Sequence, residues 1–301
     1  MDLSIVIPSW NTIELTRACL ASIDAAERPE TEVIVVDNAS ADGSADMIAA
    51  EFPHVRLQRN DRNEGFAIGC NQGMRLATGR HVLLLNADTE VRGRALMRMV
   101  EFLDQNAEYG SCAPQLVHPD GRVQTACMRF PNVLTPLFFG TPLERWFPES
   151  RELRRYFMME WAHDTERDID QPPAACICIR REVLDAVGLF DEELWLFFND
   201  VDLSLRMHQA GWKTRYLVDA KVMHHEGAST SKFGSFVPEW HKNRLAYYRK
   251  HHGFLAGPWV KLCVGLSMLD FVLVNRRRRR RGEPHEDPGP MLAAYRSFVK
   301  L

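Results

Sequence analysis

The chain lacks most of the signatures that settle a function quickly, and each absence removes a class. Its seven cysteines are odd in number and irregularly spaced, which excludes a disulfide framework and favours a reducing, cytosolic setting. The opening MDLSIVIPSW has neither the basic nor the apolar region of a secretory leader. With 18 glycines and 16 prolines in 301 residues, the chain is neither a Gly/Pro-rich repeat nor a disordered coat. No GxSxG elbow, HExxH helix or zinc-type cysteine spacing is present. Cys176 and Cys178 fall on one strand face, where sulfur usually serves as a small buried hydrophobe. Gly65, Gly69 and Gly73 in GFAIGCNQG lack the GxGxxG spacing after a first strand, and there is no GK[ST] step. Hydride transfer and P-loop chemistry are therefore disfavoured, and these glycines read as points of close helix packing. A net basic balance is missing outside one run: the net charge is −3 and six arginines occupy Arg276 to Arg281, so the remainder carries about −9. Such a surface argues against a nucleic-acid partner.

What is present is an ordinary folded composition, 46% apolar and 26% charged, on a chain long enough for a sizeable core. LSIVIPSW (3–10) is a short apolar run closed by a turn, and Asn11 followed by Glu14 is a capping-box signal for a helix through about Ala26. VIVVD (33–37), VRLQ (55–58) and HVLLL (81–85) repeat the strand, with helices near 44–51 and 66–78 between them. Strand and helix in alternation predict an α/β fold with a mostly parallel central sheet and helices on both faces. Continuous apolar runs suit strands buried on both sides. Beyond 105 the rhythm weakens. Residues 113–126, with Asp120-Gly121, predict a hairpin, and about 130–170 has no dependable period and reads as irregular and substrate-shaping. ACICI (175–179) returns as a strand, then 180–188 and 201–211 as helices closed by glycine. The final part, FLAGPWVKLCVGLSMLDFVLVN (254–275), is apolar but interrupted by Pro258, Lys261 and Asp270. An interfacial helix with the arginines facing anionic headgroups fits best; a spanning helix and a soluble docking helix with a basic tail are the alternatives.

In an open parallel sheet, ligands bind beyond the carboxyl ends of the strands. That rule selects Pro8, Ser9, Trp10 and Asn11 after the first strand, Asp37 ending the second, Asn60 and Asn63 after the third, and Asp88 after the fourth. Asn11 serves equally as a helix cap, and Asp37 and Asn38 as turn residues; their common edge favours a cleft. Asp88 can contact a metal or a ribose hydroxyl, and a hard cation bridging a diphosphate needs few protein ligands. Its candidate partner is His224 or His225, and histidine suits manganese better than magnesium. Asp200 and Asp202 stand at a helix start, where the helix field favours them as caps. Trp195, Phe197 and Phe198 surround that start, and the desolvation they supply raises a carboxylate toward general-base duty, which makes Asp200 the base candidate.

The stretches SIVIPSWN, VIVVDNASADGS, NEGFAIGCNQG, VLLLNADTE, RREVLDAVGLFDEELWLFFNDVDLSLRMHQAGW and HHEGAS, in this order over about residues 3–230, resemble inverting family-2 glycosyltransferases with the GT-A fold, particularly a bacterial rhamnosyltransferase-like branch. The resemblance implies a nucleotide-sugar pocket made by Pro8, Ser9, Asn11, Asp37, Asn63, Gly65, Asn86, Ala87 and Asp88, with Asp37 near the base. Asp88 matches the last acid of an Asp-any-Asp metal motif whose first acid is here Asn86. His224 matches the histidine that completes the metal site for Mn2+ or Mg2+, with His225 as a register alternative. Asp200 matches the catalytic base, preceded by Asn199 instead of glutamate; Trp195, Asn199 and His225 are expected around the acceptor, and Glu226 at the pocket or surface. The implied activity is transfer of L-rhamnose from dTDP-rhamnose to a lipid-linked saccharide in cell-wall or surface-polysaccharide assembly. Another donor, such as UDP-galactofuranose or a UDP-hexose, is the first alternative, and a non-catalytic carbohydrate-binding or scaffold protein the second. The expected layout is a GT-A domain over 1–250, with a nucleotide half to about 110 and an acceptor half beyond it, followed by a helix and polybasic tail over 251–301. Such a chain would sit peripherally on the cytoplasmic face of the cell membrane, or free in the cytoplasm if the tail is no anchor; a homodimer is compatible with it.

Overall fold

A computed structural model describes residues 1–225 and 236–301, so Glu226 lies outside the described residues. The chain forms two compact units, Met1–Met128 with Trp161–Gly234, and Arg129–Glu160 with Ser235–Leu301.

The first unit is built on a nine-stranded sheet. Its strands are β1 (Leu3–Ser9), β2 (Thr31–Asp37), β3 (Arg56–Arg59), β4 (His81–Leu85), β5 (Thr89–Arg92), β6 (Tyr109–Val117), β7 (Arg167–Ile169), β8 (Cys176–Arg180) and β9 (Lys213–His224). They lie in the order β3-β2-β1-β4-β8-β6-β9-β5, with β7 on β9. The expected parallel arrangement occupies β3-β2-β1-β4; direction reverses at β8, which runs antiparallel to both β4 and β6. Continuous apolar runs are explained by two faces. Ile5, Ile7, Val35, Leu83 and Leu85 join one core with Leu20, Ile23, Met47, Leu96 and Met99 of helices α1 (Ile13–Ala25), α2 (Ser44–Glu51) and α4 (Ala95–Gln105). The intervening Val6, Ile34, Val82 and Leu84 join the other with Cys70, Met74, Val183, Leu203 and Met207 of α3 (Phe66–Leu76), α8 (Arg181–Val187) and α9 (Asn199–Gln209). Alternate side chains point to opposite faces, so both must be apolar. Close helix packing is real: a Cβ on Gly73 would stand 2.3 Å from Val6 Cγ1.

The start of α1 differs from the capping-box expectation. Asn11 adopts φ 54° and Thr12 is the N-cap, without a side-chain cap. The Ile13 N–H instead donates to Asp42 Oδ2 at 2.9 Å, and Asn11 Oδ1 accepts from Ala41 N at 2.7 Å. A loop 29 residues onward supplies the acceptor that local sequence seemed to offer. Of the predicted hairpin, only β6 and the turn form. His118 N donates to Arg122 O, Gln124 N donates to Leu116 O, and Val117 bridges Val123, but the second limb is not a strand.

The second unit contains most of the stretch without a visible period, whose end, with β7, belongs to the first unit. It forms short helices, α5 (Thr135–Phe138), α6 (Pro142–Trp146) and α7 (Arg151–Tyr156), each too short to display a 3.6-residue repeat. Thr141 and Ser150 cap the last two. With them are α10 (Phe236–His252), α11 (Ala256–Arg280) and α12 (Gly289–Lys300). Helix α11 is the one described helix long and apolar enough to cross a membrane by length and composition. Val260, Cys263, Val264 and Met268 face inward, whereas Leu262, Leu266, Leu269 and Leu273 are 40–57% exposed. Their spacing of four, three and four residues makes one outward stripe, and Arg276–Arg280 close the same helix. Of the two charges interrupting the run, Asp270 pairs with Arg145 at 2.9 Å and Lys261 Nζ donates to Val299 O at 2.8 Å.

Candidate active site

A cleft of about 310 Å³ opens in the first unit, beyond the carboxyl ends of β1 and β4. Its lining includes Pro8, Ser9, Trp10, Asn63, Gly65, Asn86, Ala87, Asp88, Trp195, Asn199, Asp200 and His224, all named from sequence. Asn38, Phe66, Pro173, Ala174, Ala175 and Leu196 to Phe198 complete it. Phe197 and Phe198 stand in the sequence as aromatic surroundings of Asp200, while Pro173 and Ala174 carry no signal of their own and Ala175, expected to open the strand, lies one residue before β8.

Strand pairing builds one wall. Leu85 stands opposite Cys176, and the Asn86 N–H donates to Ala175 O at 2.9 Å, extending the β4–β8 ladder by one residue. Thr89 Oγ1 then donates to Asn86 O at 2.7 Å and closes the turn that carries Ala87 and Asp88. Antiparallel pairing of β5 with β9 places Thr89 opposite His224. As a result His224 Nε2 lies 3.5 Å from Asp88 Oδ1, with Asp88 only 5% exposed. Asn86 lines the same cleft, and its Oδ1 is buried without a hydrogen-bond partner. A carboxylate, an imidazole nitrogen and an orphaned amide oxygen form a donor set that fits a divalent cation. Among the described residues no three His, Cys, Asp or Glu side chains cluster, so a bound ligand would have to supply the rest of the shell. His225 departs from the expected acceptor position. Strand alternation turns it to the other face, where Nε2 meets Glu90 Oε1 at 3.1 Å.

Asn11 and Asp37 lie behind the cleft wall. Asn11 ties its loop to Ala41. Asp37 is buried, accepts from Ser40 N through Oδ2 at 3.0 Å, and keeps Oδ1 without a partner. Its neighbour Asn38 reaches the lining, held by Asn60 Nδ2 at 2.8 Å and donating to Gly65 O at 3.0 Å. Ser9 belongs to a buried hydroxyl cluster with Thr12 and Thr16. Asn63 Oδ1 accepts from Gly65 N at 2.9 Å.

The opposite wall is the segment before α9. The Phe66 and Ala67 N–H groups at the start of α3 both donate to Trp195 O, at 3.0 and 3.2 Å. Gly65 adopts φ +97°, and a Cβ there would lie 2.0 Å from Trp195 Nε1, so only glycine lets the indole lie against this turn. Phe198 takes a left-handed φ of 63° immediately before Asn199. Strain of this kind concentrates at functional sites. Asn199 Nδ2 donates to Leu194 O and its Oδ1 accepts from Asp200 N at 2.8 Å. Asp200 is half-buried, and its carboxylate accepts from Val201 N at 2.8 Å and Ala174 N at 3.3 Å. Burial raises its carboxyl above the usual aspartate value, against the opposing pull of those N–H groups. Asp202 is fully buried and paired with Arg206 at 2.8 Å, a structural ion pair within α9.

The sheet order, the helices on both faces and the cleft at the strand ends define an α/β nucleotide-diphospho-sugar transferase fold of the GT-A type. Solved structures agree. A mannosyltransferase, PcManGT of Pyrobaculum calidifontis, in complex with GDP-Man and Mn2+, superposes with a TM-score of 0.57 at 15% identity, covering 99% of this chain and 83% of that one. Staphylococcus aureus TarS 1-349 in complex with UDP gives 0.54 at 18% identity, covering 93% and 72%. The profile of Glycosyl transferase family 2 matches residues 4–188, and the chain belongs to that family of glycosyltransferases. Among curated relatives, it is 25% identical over 280 residues to N-acetylglucosaminyl-diphospho-decaprenol L-rhamnosyltransferase of Mycobacterium tuberculosis, covering 87% of this chain and 90% of that one. It is also 29% identical over 291 residues to O-antigen biosynthesis protein RfbC of Myxococcus xanthus, spanning 93% of this chain but 21% of that longer one.

Proposed function

We propose that this enzyme is an inverting rhamnosyltransferase that moves L-rhamnose from dTDP-rhamnose to a hydroxyl of a lipid-linked saccharide. One observation carries the catalytic part: Asp200 and the Asp88–His224 pair line the same cleft. The base and the group that receives the leaving diphosphate are thereby available to one bound donor. Asp200, raised by burial, takes the acceptor hydroxyl proton while that oxygen forms a bond to sugar C1. The C1–oxygen bond to the diphosphate breaks on the opposite face, the electron pair leaves with the nucleoside diphosphate, and one displacement inverts the anomeric centre. Asp88 and His224, with Asn86 Oδ1, would hold a divalent cation, Mn2+ or Mg2+, which supplies charge to offset the leaving diphosphate. Asn38 at the lining supplies hydrogen-bonding groups on the nucleoside side, with Asp37 behind it.

The rhamnose assignment draws its support from the M. tuberculosis relative, whose match runs nearly the full length of both chains. The lipid-linked acceptor and a peripheral place on the cytoplasmic face of the membrane draw theirs from α11. Its outward leucine stripe would lie among acyl chains, and Arg276 to Arg281 would meet anionic headgroups. The test is a screen of dTDP-rhamnose, UDP-galactofuranose and UDP-hexoses with crude lipid-linked acceptors, read by mass. A rhamnose adduct on the acceptor is expected. An adduct from a different donor alone rejects rhamnose, and nucleotide binding without transfer or hydrolysis rejects catalysis.

A further inference from the structure

We propose that Gln124 is a positioning residue that fixes His224 in the one neutral tautomer whose Nε2 can bind a cation. It rests on the cation site proposed for Asp88 and His224, but its central claim can be read without any metal.

The geometry leaves one arrangement. Gln124 is 5% exposed, and its amide nitrogen lies 2.8 Å from the backbone carbonyl oxygen of His224. A carbonyl only accepts, so that contact identifies the nitrogen as donor and fixes which way the amide points. The same nitrogen lies 3.1 Å from His118 Nδ1, a second acceptor. Gln124 Oε1 is therefore the atom 3.0 Å from His224 Nδ1, and an amide oxygen can only accept. Nδ1 must carry the proton. In the neutral imidazole Nε2 then carries the lone pair, and it is Nε2 that stands 3.5 Å from Asp88 Oδ1. With that lone pair, Nε2 and Asp88 Oδ1 face each other as two acceptors, an arrangement that a positive centre between them, a proton or a metal ion, relieves. A flipped amide would set Oε1 against the His224 carbonyl, two acceptors in repulsion, so the backbone itself enforces the choice.

The turn that failed to become a full hairpin has its use here. Gln124 N donates to Leu116 O, and Val117 bridges Val123. Strand β6 also pairs with β9 through Val117 and Met223. These contacts deliver Gln124 to the side of His224 away from Asp88. Outer-sphere partners that orient a ligating imidazole are commonly worth 10- to 100-fold in metal affinity.

The experiment uses full-length protein labelled with 15N-histidine. Two-bond 1H–15N correlations on metal-free wild type, with His224→Ala to assign the signal, should give the Nδ1–H form of His224. Gln124→Leu, which removes the acceptor at Nδ1, should shift His224 toward a mixture. Mn2+ titrated in the presence of dTDP and followed by electron paramagnetic resonance should then bind about 10- to 100-fold more weakly to Gln124→Leu than to wild type. An Nε2–H tautomer in wild type, or unchanged tautomer and affinity in Gln124→Leu, overturns the proposal. If wild type takes up no Mn2+, the cation site is what falls, and the metal-free spectra still decide the orientation by Gln124.

Discussion

Trp195 lies with its indole Nε1 where the Cβ of residue 65 would be, 2.0 Å from that position, and its carbonyl accepts two hydrogen bonds from the helix that residue 65 begins. Gly65 and Trp195 thus clamp the start of α3 to the segment that carries Asp200.

Gly65→Ala should break this clamp. The methyl group meets the indole and the backbone stays at φ +97°, a conformation that costs a side chain roughly 1–3 kcal/mol before any clash is counted. Thermal unfolding should show at least that loss, and dTDP binding should weaken with it. Adding Trp195→Ala should relieve the steric part and leave the backbone part. A single variant as stable as wild type would contradict the contact.

Asp200→Asn should lower turnover by about 10²- to 10⁴-fold while leaving dTDP affinity unchanged, since only the proton acceptor is lost. In wild type, turnover should fall on the acid side with an apparent pKa above the ordinary aspartate value of 3.8, because burial raises Asp200. Stability follows the same shift. A raised carboxyl favours folding below its unfolded pKa and loses that benefit as pH rises through its folded pKa. Asp200→Asn should therefore melt higher than wild type at neutral pH, with the gap closing as pH falls below about 4. Near-wild-type turnover in the variant would reject the base.

Asn86→Asp should convert a neutral donor into a charged one. With Oδ1 already buried and unpartnered, the new carboxylate should destabilise the protein in a chelator and be rescued by Mn2+ with dTDP, which a paired set of melting curves reads directly. Mn2+ affinity should rise above wild type. Equal affinity would place the cation, if any, away from residue 86.

Leu266→Glu with Leu269→Glu should abolish sedimentation with vesicles containing anionic lipid, and should do so without lowering the melting temperature, because both side chains face outward. Replacing Arg276 to Arg281 by glutamine should remove the salt dependence of that binding, each arginine near an anionic surface contributing about 1 kcal/mol. Unchanged sedimentation in both variants would reject the membrane contact.

Sequence revealed most where burial is two-sided. VIVVD and VLLL had to be apolar throughout because alternate residues enter different cores, and the carboxylates at their ends followed from that. It revealed least where distant partners decide. The acceptor for Ile13 comes from Asp42, so the local Asn11–Glu14 signal misled. Strand β5 has four residues, TEVR, and is set by pairing with a strand more than 120 residues later, so its delivery of His224 to Asp88 could be expected only from resemblance. The separation of His224 from His225 needed only strand alternation, once the strand was placed. Gln124 carried no signal, since a glutamine beside a turn is ordinary until its two amide atoms are seen against one histidine.

The reversal of direction at β8 has a further consequence, for the order in which a growing chain acquires its abilities. Asp37 ends β2, and Asn63 and Asp88 follow β3 and β4, all within the first 90 residues beside strands that pair in parallel with near neighbours. Ala174, Asp200 and His224 reach them only through β8, α9 and β9. During synthesis the parallel strands emerge first, but the helices that cover their second face, with Val183 and Leu203, and the side chains of Asp200 and His224 arrive only once the chain through residue 224 has left the ribosome. A nascent chain short of that point would hold the early cleft residues without the wall that completes the cleft.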